Sequence, residues 1–162
     1  MAGTLIDAEI LEMENDNLQI WSNADMQYDY RYSALKGKHG RYVVISARLQ
    51  LEAGHDPAEL NARADSFVAH RKKTQPPGAS LGSMFKNPPG DYAGRLIESA
   101  GLKGTQIGGV QVSPVHANFF VNVGAGTASD YNALIDLAQK RVYEQFGVHL
   151  ELEVERVGDW ES

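Results

Sequence analysis

The chain has 162 residues, a formal net charge of −6 and no cysteine. Its 43% hydrophobic and 22% charged content matches a globular protein of one large or two small domains. The lack of cysteine excludes disulfides, thiolate nucleophiles, zinc ribbons and iron–sulfur clusters, and the negative charge argues against a general nucleic-acid binder.

The sequence also gives no sign of a membrane span or a metal site. No segment approaches the roughly 18 apolar residues of a span, and the first residues lack the early positive charge of a signal peptide. The histidines at positions 39, 55, 70, 116 and 149 include no helical metal-binding pair. We therefore expect a cytoplasmic protein that binds no metal.

The first part of the chain predicts three strands and a helix. Thr4–Met13 and Leu18–Trp21 flank a polar turn cluster, which is typical of a β-hairpin. Arg41–Leu51 is rich in β-branched residues and predicts a third strand. Asp56 is a suitable cap for a helix predicted over Pro57–Arg71.

The middle of the chain predicts a long loop and then a helix and two strands. Thr74–Pro89 contains four prolines and two glycines, which favours a loop and a domain boundary near it, between 1–72 and 73–162. Beyond it, Asp91–Ala100 predicts a short helix, and Gln106–Val112 and Asn118–Val123 predict strands.

The last part predicts a helix and a strand. Ser129–Phe146 carries one apolar stripe that ends at Gly147, with Thr127 and Asp130 at its start. Val148–Glu155 alternates apolar and polar residues, which predicts a strand with one buried face. The whole pattern indicates an α+β fold with antiparallel pairing.

Two polar or glycine-rich segments are candidates for ligand binding. Gly124–Gly126 precedes a helix, but Ser129 stands where a dinucleotide fingerprint needs its third glycine, so a plain turn is the better interpretation. Ser83, Lys86 and Asn87 place a hydroxyl, an ammonium and an amide close together. Together with nearby arginines, these groups could bind phosphates or carboxylates. The alternative interpretation is that the segment is a solvated loop without a ligand.

Several runs along the chain resemble one known family in their order and spacing. These are Tyr30–Ser33, Gly82–Pro88, Gly90–Glu98, Ala100–Gly104, Ile107–Gly109, Val112, Ser113 and His116–Phe119. They make the chain similar to the MurB reductases, which are UDP-N-acetylenolpyruvoylglucosamine reductases. The absence of an insertion between Arg31 and Ser83 resembles the shorter, second class of that family.

The resemblance implies an α+β fold with a mixed or antiparallel sheet packed with helices. Residues 1–72 resemble the end of the FAD-binding region, and residues 73–162 resemble the C-terminal substrate-binding domain. The family reduces the enolpyruvyl ether of UDP-N-acetylglucosamine to UDP-N-acetylmuramate, using FAD that NADPH has reduced. This reaction serves peptidoglycan synthesis, and with it cell wall biogenesis, cell shape and cell division.

The resemblance also implies roles for individual residues. Ser83 matches the serine that protonates the intermediate at C2 after hydride reaches C3, and Arg31 and Glu153 match the pair that steadies that intermediate. Positions that contact the nucleotide and sugar correspond, in order of decreasing correspondence, to Asn87, Arg95, Arg71 and His116. A structural turn residue is the alternative interpretation of His116.

The chain departs from the family at three positions near these residues. Leu81 replaces the usual alanine, Leu152 replaces a common proline, and Glu155 stands where the family usually has arginine. The change at Glu155 removes a positive charge that would contact the substrate.

The glycine-rich segment that wraps the FAD pyrophosphate in the family is absent from this sequence. We therefore expect incomplete FAD binding, a missing FAD-binding half as a partner, and an excised fragment rather than a natural half-length protein. Two rival functions remain, a flavin-free module that binds UDP-linked amino sugars and a structural or interaction domain that kept the fold.

Overall fold

The computed structural model describes residues 2–38 and 40–158. His39, one of the histidines considered above, lies outside the described residues. Contacts divide the chain into two compact units, Met1–Leu60 and Asn61–Ser162. Since this division falls inside a helix, the domain boundary between 72 and 73 stays a prediction.

The first unit contains a three-stranded antiparallel sheet. A short 3₁₀ turn, Ala2–Thr4, leads into β1 (Leu5–Glu12), which is followed by β2 (Asn17–Ser22) and β3 (Tyr42–Leu49). The strand order is β2-β1-β3, so β1 is central. The predicted hairpin and third strand are therefore confirmed.

The core of the first unit is small. Its buried apolar side chains are Ala8, Ile10 and Met26, and the Trp21 ring lies edge-on to Tyr42 with ring centroids 5.2 Å apart. Glu12 is buried beside them and accepts a hydrogen bond from Arg41 at 3.0 Å, which lowers the pKa of the Glu12 carboxyl. Seven of the eight residues of β3 are exposed. Little apolar surface is therefore removed from water in this unit.

Helix α1 (Pro57–Thr74) confirms the helix predicted to begin at Pro57 and extends three residues beyond the predicted end. The Asp56 carboxylate accepts a hydrogen bond from the Ala58 backbone N–H at 2.9 Å, which satisfies one of the unpaired donors at the helix start. None of its residues is buried.

The helices of the described residues include no candidate for a membrane span, because none combines the required length with sufficient apolar character.

The second unit packs two helices with a four-stranded antiparallel sheet of strand order β4-β7-β6-β5. Its elements in chain order are β4 (Ala79–Ser83), α2 (Ala93–Ser99), β5 (Gln106–Ile107), β6 (Val110–Val112), β7 (Phe119–Asn122) and α3 (Ala128–Phe146). The two predicted helices and the strand at β7 are confirmed. Together with the first unit, this arrangement confirms the predicted α+β class.

The prediction of one continuous loop over Thr74–Pro89 is wrong, because β4 lies within it. Ala79 pairs with Asn122 and Ser83 with Phe119, so this strand is an edge of the sheet. The four prolines lie before and after β4, where they remove no N–H group that the sheet needs. Pairing with β7 therefore overrides the loop-like composition.

The single strand predicted over Gln106–Val112 is a tight hairpin of two strands, β5 and β6. Gly108 makes the turn with a left-handed φ of 53°. A Cβ atom on the next residue, Gly109, would lie 2.1 Å from the backbone oxygen of Gly124. The two turns therefore approach closely because position 109 has no side chain.

The core of the second unit lies between the sheet and the helices. The largest fully buried side chains there are those of Phe85, Phe120, Met84, Leu96, Ile97 and Leu134. Helix α3 begins with the expected cap, in which Thr127 and Asp130 form a reciprocal capping box, and ends at Gly147 in the left-handed conformation. The apolar stripe predicted for this helix faces the core through Leu134, Ile135, Ala138 and Val142.

The strand predicted over Val148–Glu155 does not form as a regular strand. Leu152 makes one isolated antiparallel bridge with Phe85, and the backbone on either side makes two further hydrogen bonds. The predicted burial of the apolar positions is nevertheless present, since Leu150 is buried and Val148, Leu152 and Val154 pack against the core. The alternation of apolar and polar residues correctly indicated which side chains are buried. The strand pairing is limited because the partner segment after β4 is short.

We predict that Gly109→Ala destabilises the protein by about 2–4 kcal/mol, because backbone atoms of the facing turn would have to move. Gly3→Ala is the control, since a Cβ atom there meets no atom within 4 Å. Thermal unfolding of both variants measures the effect. Equal stability of the two variants would contradict the prediction, because it would show that the two facing turns can move apart without a loss of folding free energy.

Candidate functional site

Asn118 holds the segment that follows Ser83. Its side-chain amide donates to the Phe85 carbonyl at 2.8 Å, and its side-chain oxygen accepts from the Phe85 N–H at 3.0 Å. Its backbone oxygen accepts from the Met84 N–H at 2.8 Å. Because Asn118 is 3% exposed, water does not compete for these bonds. Asn118 lies in the run His116–Phe119 that resembles the family, but the sequence pattern alone indicates no role for it.

Ser83 is the last residue of β4 and is partly buried. Its backbone pairs with Phe119, and the next residue, Met84, is fully buried in the core. The Ser83 hydroxyl makes no hydrogen bond to another described residue. The strand end and the buried methionine fix the position of the Ser83 backbone, and the hydroxyl remains available as a donor.

Glu153 is brought beside Ser83 by backbone hydrogen bonds. The Glu153 N–H donates to the Met84 carbonyl at 2.9 Å, and the Lys86 N–H donates to the Glu151 carbonyl at 2.8 Å. The terminal segment thus runs alongside the residues that follow β4, and Glu153 bonds to the residue directly after Ser83. Two residues 70 positions apart in sequence therefore lie in adjacent extended segments.

An ion pair joins the same two segments, the one after β4 and the terminal one. Lys86 donates to the Glu151 carboxylate at 2.7 Å, and this hydrogen bond lowers the pKa of Glu151. The Lys86 side chain is 27% exposed and that of Glu151 is 73% exposed, so the pair contributes little to stability. Lys86 is therefore already engaged by a carboxylate of this chain.

An open apolar cavity of about 280 Å³ borders both segments. Met84 and Val154, which directly follow Ser83 and Glu153, line it together with Leu81. Glu155 lies on its wall, so two of the three departures from the family pattern face this cavity. Among the described residues, the buried side-chain oxygen of Asn132, which also lines the cavity, has no hydrogen-bond partner. The cavity suits a mainly apolar group that carries a hydrogen-bond donor.

Arg31 belongs to the first unit, whereas Ser83 and Glu153 belong to the second. It lies in a tight turn closed by reciprocal backbone hydrogen bonds between Asp29 and Tyr32. Its φ of 53° is left-handed, which is uncommon for a residue with a side chain and recurs at functional sites. The guanidinium lies 5.7 Å from the Tyr30 ring centroid. The Arg31 side chain is exposed.

Asn87 and Arg95 both lie around helix α2. The Asn87 side-chain oxygen accepts from the Ala93 N–H at 3.1 Å, which supports the helix start where Tyr92 offers no side-chain cap. The Arg95 Nε donates to the Asp91 carboxylate at 2.7 Å, and a second bond from the same guanidinium makes the pair bidentate. An anionic ligand on Arg95 would therefore compete with Asp91.

His116 is held between α2 and β7. Its Nδ1 accepts from the Asn118 N–H at 3.2 Å, which leaves the Nε2 atom as the donor of the neutral ring. The ring lies edge-on to Phe119 at 5.0 Å, and a Cβ atom on Gly94 would lie 2.9 Å from it. These contacts agree with the structural interpretation of His116 and leave one N–H for a ligand.

Arg71 lies in the last turn of α1 and is exposed. Its Nε donates to the Gln75 side chain at 3.4 Å. Within 2–38 and 40–158, no hydrogen bond or ion pair joins Arg71 to Ser83. The same described ranges contain no group of three or more His, Asp or Glu side chains that could hold a metal ion.

We predict that Asn118→Ala destabilises the second unit by about 2–4 kcal/mol, because it leaves the Phe85 N–H and C=O without partners in the core. Asn61→Ala, an exposed change on α1, is the control and is expected to alter stability by less than about 0.5 kcal/mol. Urea unfolding measures both variants, and hydrogen exchange at Phe85 reports the local effect. Unchanged protection at Phe85 would contradict the role of Asn118.

We predict that the Asp91 carboxyl titrates at about 2 instead of its usual 3.8, because Arg95 and the Tyr92 N–H hydrogen-bond its charged form. The pKa is lowered by folding, so the resulting stability is present above 3.8 and is lost as the pH falls through about 2. NMR titration of Asp91 measures the pKa directly. In Arg95→Gln the pKa should rise toward 3.8; no rise would show that Arg95 is not the cause.

Comparisons with known proteins agree on one family. The model of the UDP-N-acetylenolpyruvoylglucosamine reductase C-terminal domain matches residues 73–157. A reductase of that name from Chloroflexus aggregans is 49% identical over 156 residues, which cover 94% of this chain and 52% of the relative. One from Synechococcus sp. strain CC9311 is 51% identical over 138 residues, which cover 85% of this chain and 44% of the relative.

A solved structure supports the same assignment. The crystal structure of UDP-N-acetylenolpyruvylglucosamine reductase (MurB) from Thermus caldophilus matches 95% of this chain and 53% of its own, with a TM-score of 0.73 and 34% identity. The chain spans about half the length of the curated relatives it matches. Because the C-terminal domain model covers more than half of its residues, the chain belongs to the UDP-N-acetylenolpyruvoylglucosamine reductase (MurB) family.

Proposed function

We propose that this chain is the substrate-binding part of a UDP-N-acetylmuramate dehydrogenase, which reduces UDP-N-acetylglucosamine enolpyruvate to UDP-N-acetylmuramate. The observation that carries the proposal is the hydrogen bond from the Glu153 N–H to the Met84 carbonyl. It places the Glu153 backbone beside the end of the strand that carries Ser83. This neighbourhood supports the proposal that the Ser83 hydroxyl and the Glu153 carboxylate act on one substrate.

The proposed chemistry uses Ser83 as the proton donor. Hydride addition at C3 of the enolpyruvyl group places negative charge on C2 and on the adjacent carboxylate. The Ser83 hydroxyl would deliver a proton to C2, and Glu153 together with Arg31 would steady the charged intermediate. A serine is a weak acid in water, so the transfer requires a site that keeps the intermediate away from solvent.

Substrate binding would involve the charged and polar groups around α2 and α1. Arg95 and Arg71 carry positive charge for the diphosphate, and the Nε2 N–H of His116 and the side-chain amide of Asn87 provide hydrogen bonds. Arg95 would exchange part of its bidentate contact with Asp91 for the ligand. The cost of that exchange is modest because both side chains are partly exposed.

The turn Gly124–Gly126, the candidate phosphate-binding turn of the sequence, does not fit an FAD pyrophosphate. The glycine turn ahead of α3 is already engaged, since the N–H groups of Gly124 and Gly126 both donate to the Asn122 side chain at 3.1 Å. FAD would be bound mainly by the half of the family protein that this chain does not span, and reduced by NADPH there. The substrate chemistry assigned to this chain would take place in the cytoplasm and supply peptidoglycan synthesis for cell wall growth, shape and division.

We predict that Ser83→Ala lowers turnover by about 10²–10⁴-fold, because it removes the proton donor for C2. The chain is co-expressed with the unmatched half of the Chloroflexus aggregans relative, and substrate-dependent NADPH oxidation is followed. Reduction of the bound flavin by NADPH alone should be unchanged, since that step precedes protonation.

Ser80→Ala is the matched control, because Ser80 lies in the same strand and pairs with Val121. Its turnover should equal that of the unmodified chain. Turnover of Ser83→Ala at the level of this control would refute the role of Ser83. Binding of the UDP-sugar without any flavin-dependent turnover would refute the reductase function and favour a flavin-free sugar-nucleotide-binding module.

A further inference from the structure

The apolar cavity beside the end of β4 is not used by the proposed reaction. Its lining includes Met84 and Val154, which directly follow Ser83 and Glu153, but neither Ser83 nor Glu153 itself. All of the residues that line it belong to the second unit. The cavity is therefore a separate feature of this unit that lies next to the candidate site.

An irregularity in β4 brings Leu81 to the cavity. The pairing register with β7 shifts between Ser80 and Ser83, and Gly82 within this stretch has a left-handed φ of 83°. Leu81 and Met84 therefore line the same cavity, although strict alternation along a strand would place them on opposite faces. The Leu81 side chain is 61% exposed. A ligand that covers this side chain would remove apolar surface from water, which favours binding.

Asn132 supplies a polar atom of known identity. Its side-chain Nδ2 donates to the Asp136 carboxylate at 3.1 Å. Because an ionised carboxylate only accepts hydrogen bonds, this contact fixes which end of the amide is the nitrogen. The Oδ1 atom at the other end is buried and has no hydrogen-bond partner among the described residues. A donor brought into the cavity would gain free energy by pairing with this oxygen.

The charges around the cavity balance. Among the described residues that line it, Glu155 and Arg156 carry one charge of each sign. The Arg156 guanidinium also lies 3.7 Å from the Asp136 carboxylate. Most of the remaining lining is apolar or aromatic and includes Tyr131 and Ile135. This balance favours an uncharged ligand, since an ion would leave water without gaining an unengaged partner of opposite charge.

We propose that this cavity binds a small, uncharged aromatic molecule that carries one hydrogen-bond donor, such as an indole or a phenol. The ring packs against Leu81, Met84 and Val154, and its donor bonds to the Asn132 Oδ1 atom. A volume of about 280 Å³ accommodates one such ring system. The ligand thereby contacts both segments that the hydrogen bond from the Glu153 N–H to the Met84 carbonyl joins. The proposal goes beyond the proposed function and does not depend on it.

Two probes of nearly the same shape test the role of the donor. Indole and benzofuran are titrated into the full chain, and NMR follows the backbone amides of Tyr131, Ile135 and Val154. Indole should bind saturably, and benzofuran, which has an oxygen in place of the N–H, should bind about tenfold more weakly. In Asn132→Leu, which removes the acceptor, the two probes should bind about equally. Equal affinities for the unmodified chain would overturn the pairing with Asn132.

Leu81→Lys tests the location of the site. A charged side chain at this position should weaken indole binding about tenfold or more, because it replaces apolar surface that the ring would cover. Val123→Lys is the matched control, since Val123 is 51% exposed, lies in the second unit and does not line the cavity. It should retain the affinity to within about twofold. Absence of saturable indole binding, or an equal loss of affinity in both variants, would overturn the proposal.

Hydrogen–deuterium exchange gives a readout that does not depend on a substitution. Saturating indole should slow exchange of the Glu153 amide about threefold or more, because the ring would pack against Met84, whose carbonyl accepts from this N–H. Thermal unfolding of the two lysine variants shows whether each is folded under the same conditions. Unchanged exchange at Glu153 would contradict the contact of the ring with Met84 and Val154.

Discussion

The hydrogen bonds of Asn118 are the constraint on which the candidate site depends. One buried side chain satisfies both the N–H and the carbonyl of Phe85, and its own carbonyl accepts from Met84. These bonds hold the chain extended directly after β4, and this extended segment is what the terminal residues pair with. If the segment after Ser83 were mobile, Glu153 would have no fixed backbone partner. The position of the Glu153 backbone relative to the end of β4 thus depends on the hydrogen bonds of Asn118.

In the second unit, the residues proposed to bind the substrate also have structural partners. Asn87 supports the start of α2, Arg95 is paired with Asp91, and His116 accepts from a backbone N–H. Such contacts pre-organise the side chains, because each is held before a ligand arrives. They also set a cost for binding, since a ligand on Arg95 must compete with an internal carboxylate. The same hydrogen bonds therefore orient these side chains and compete with a ligand for them.

The two units differ in how completely they bury apolar surface. The second has a core that includes Phe85, Phe120 and Leu134, whereas the first buries Ala8, Ile10 and Met26. The first also exposes Leu18, Ile20 and most of β3. The apolar surface removed from water therefore lies mostly in the second unit.

The sequence by itself determined the elements whose signals are local. Capping at Thr127 and Asp130, the stripe of α3 and the first hairpin depend on residues a few positions apart, and all were predicted correctly. The resemblance to the family was likewise readable from ordered motifs, and it named Ser83, Arg31 and Glu153, whose roles stay predictions. The tertiary structure decided that β4 is a strand and that Val148–Glu155 is not. Both outcomes depend on pairing with residues that are far away in the sequence. The partner is β7 for β4, and it is the short segment after Ser83 for Val148–Glu155. The local sequence of a segment does not indicate whether the fold provides such a partner.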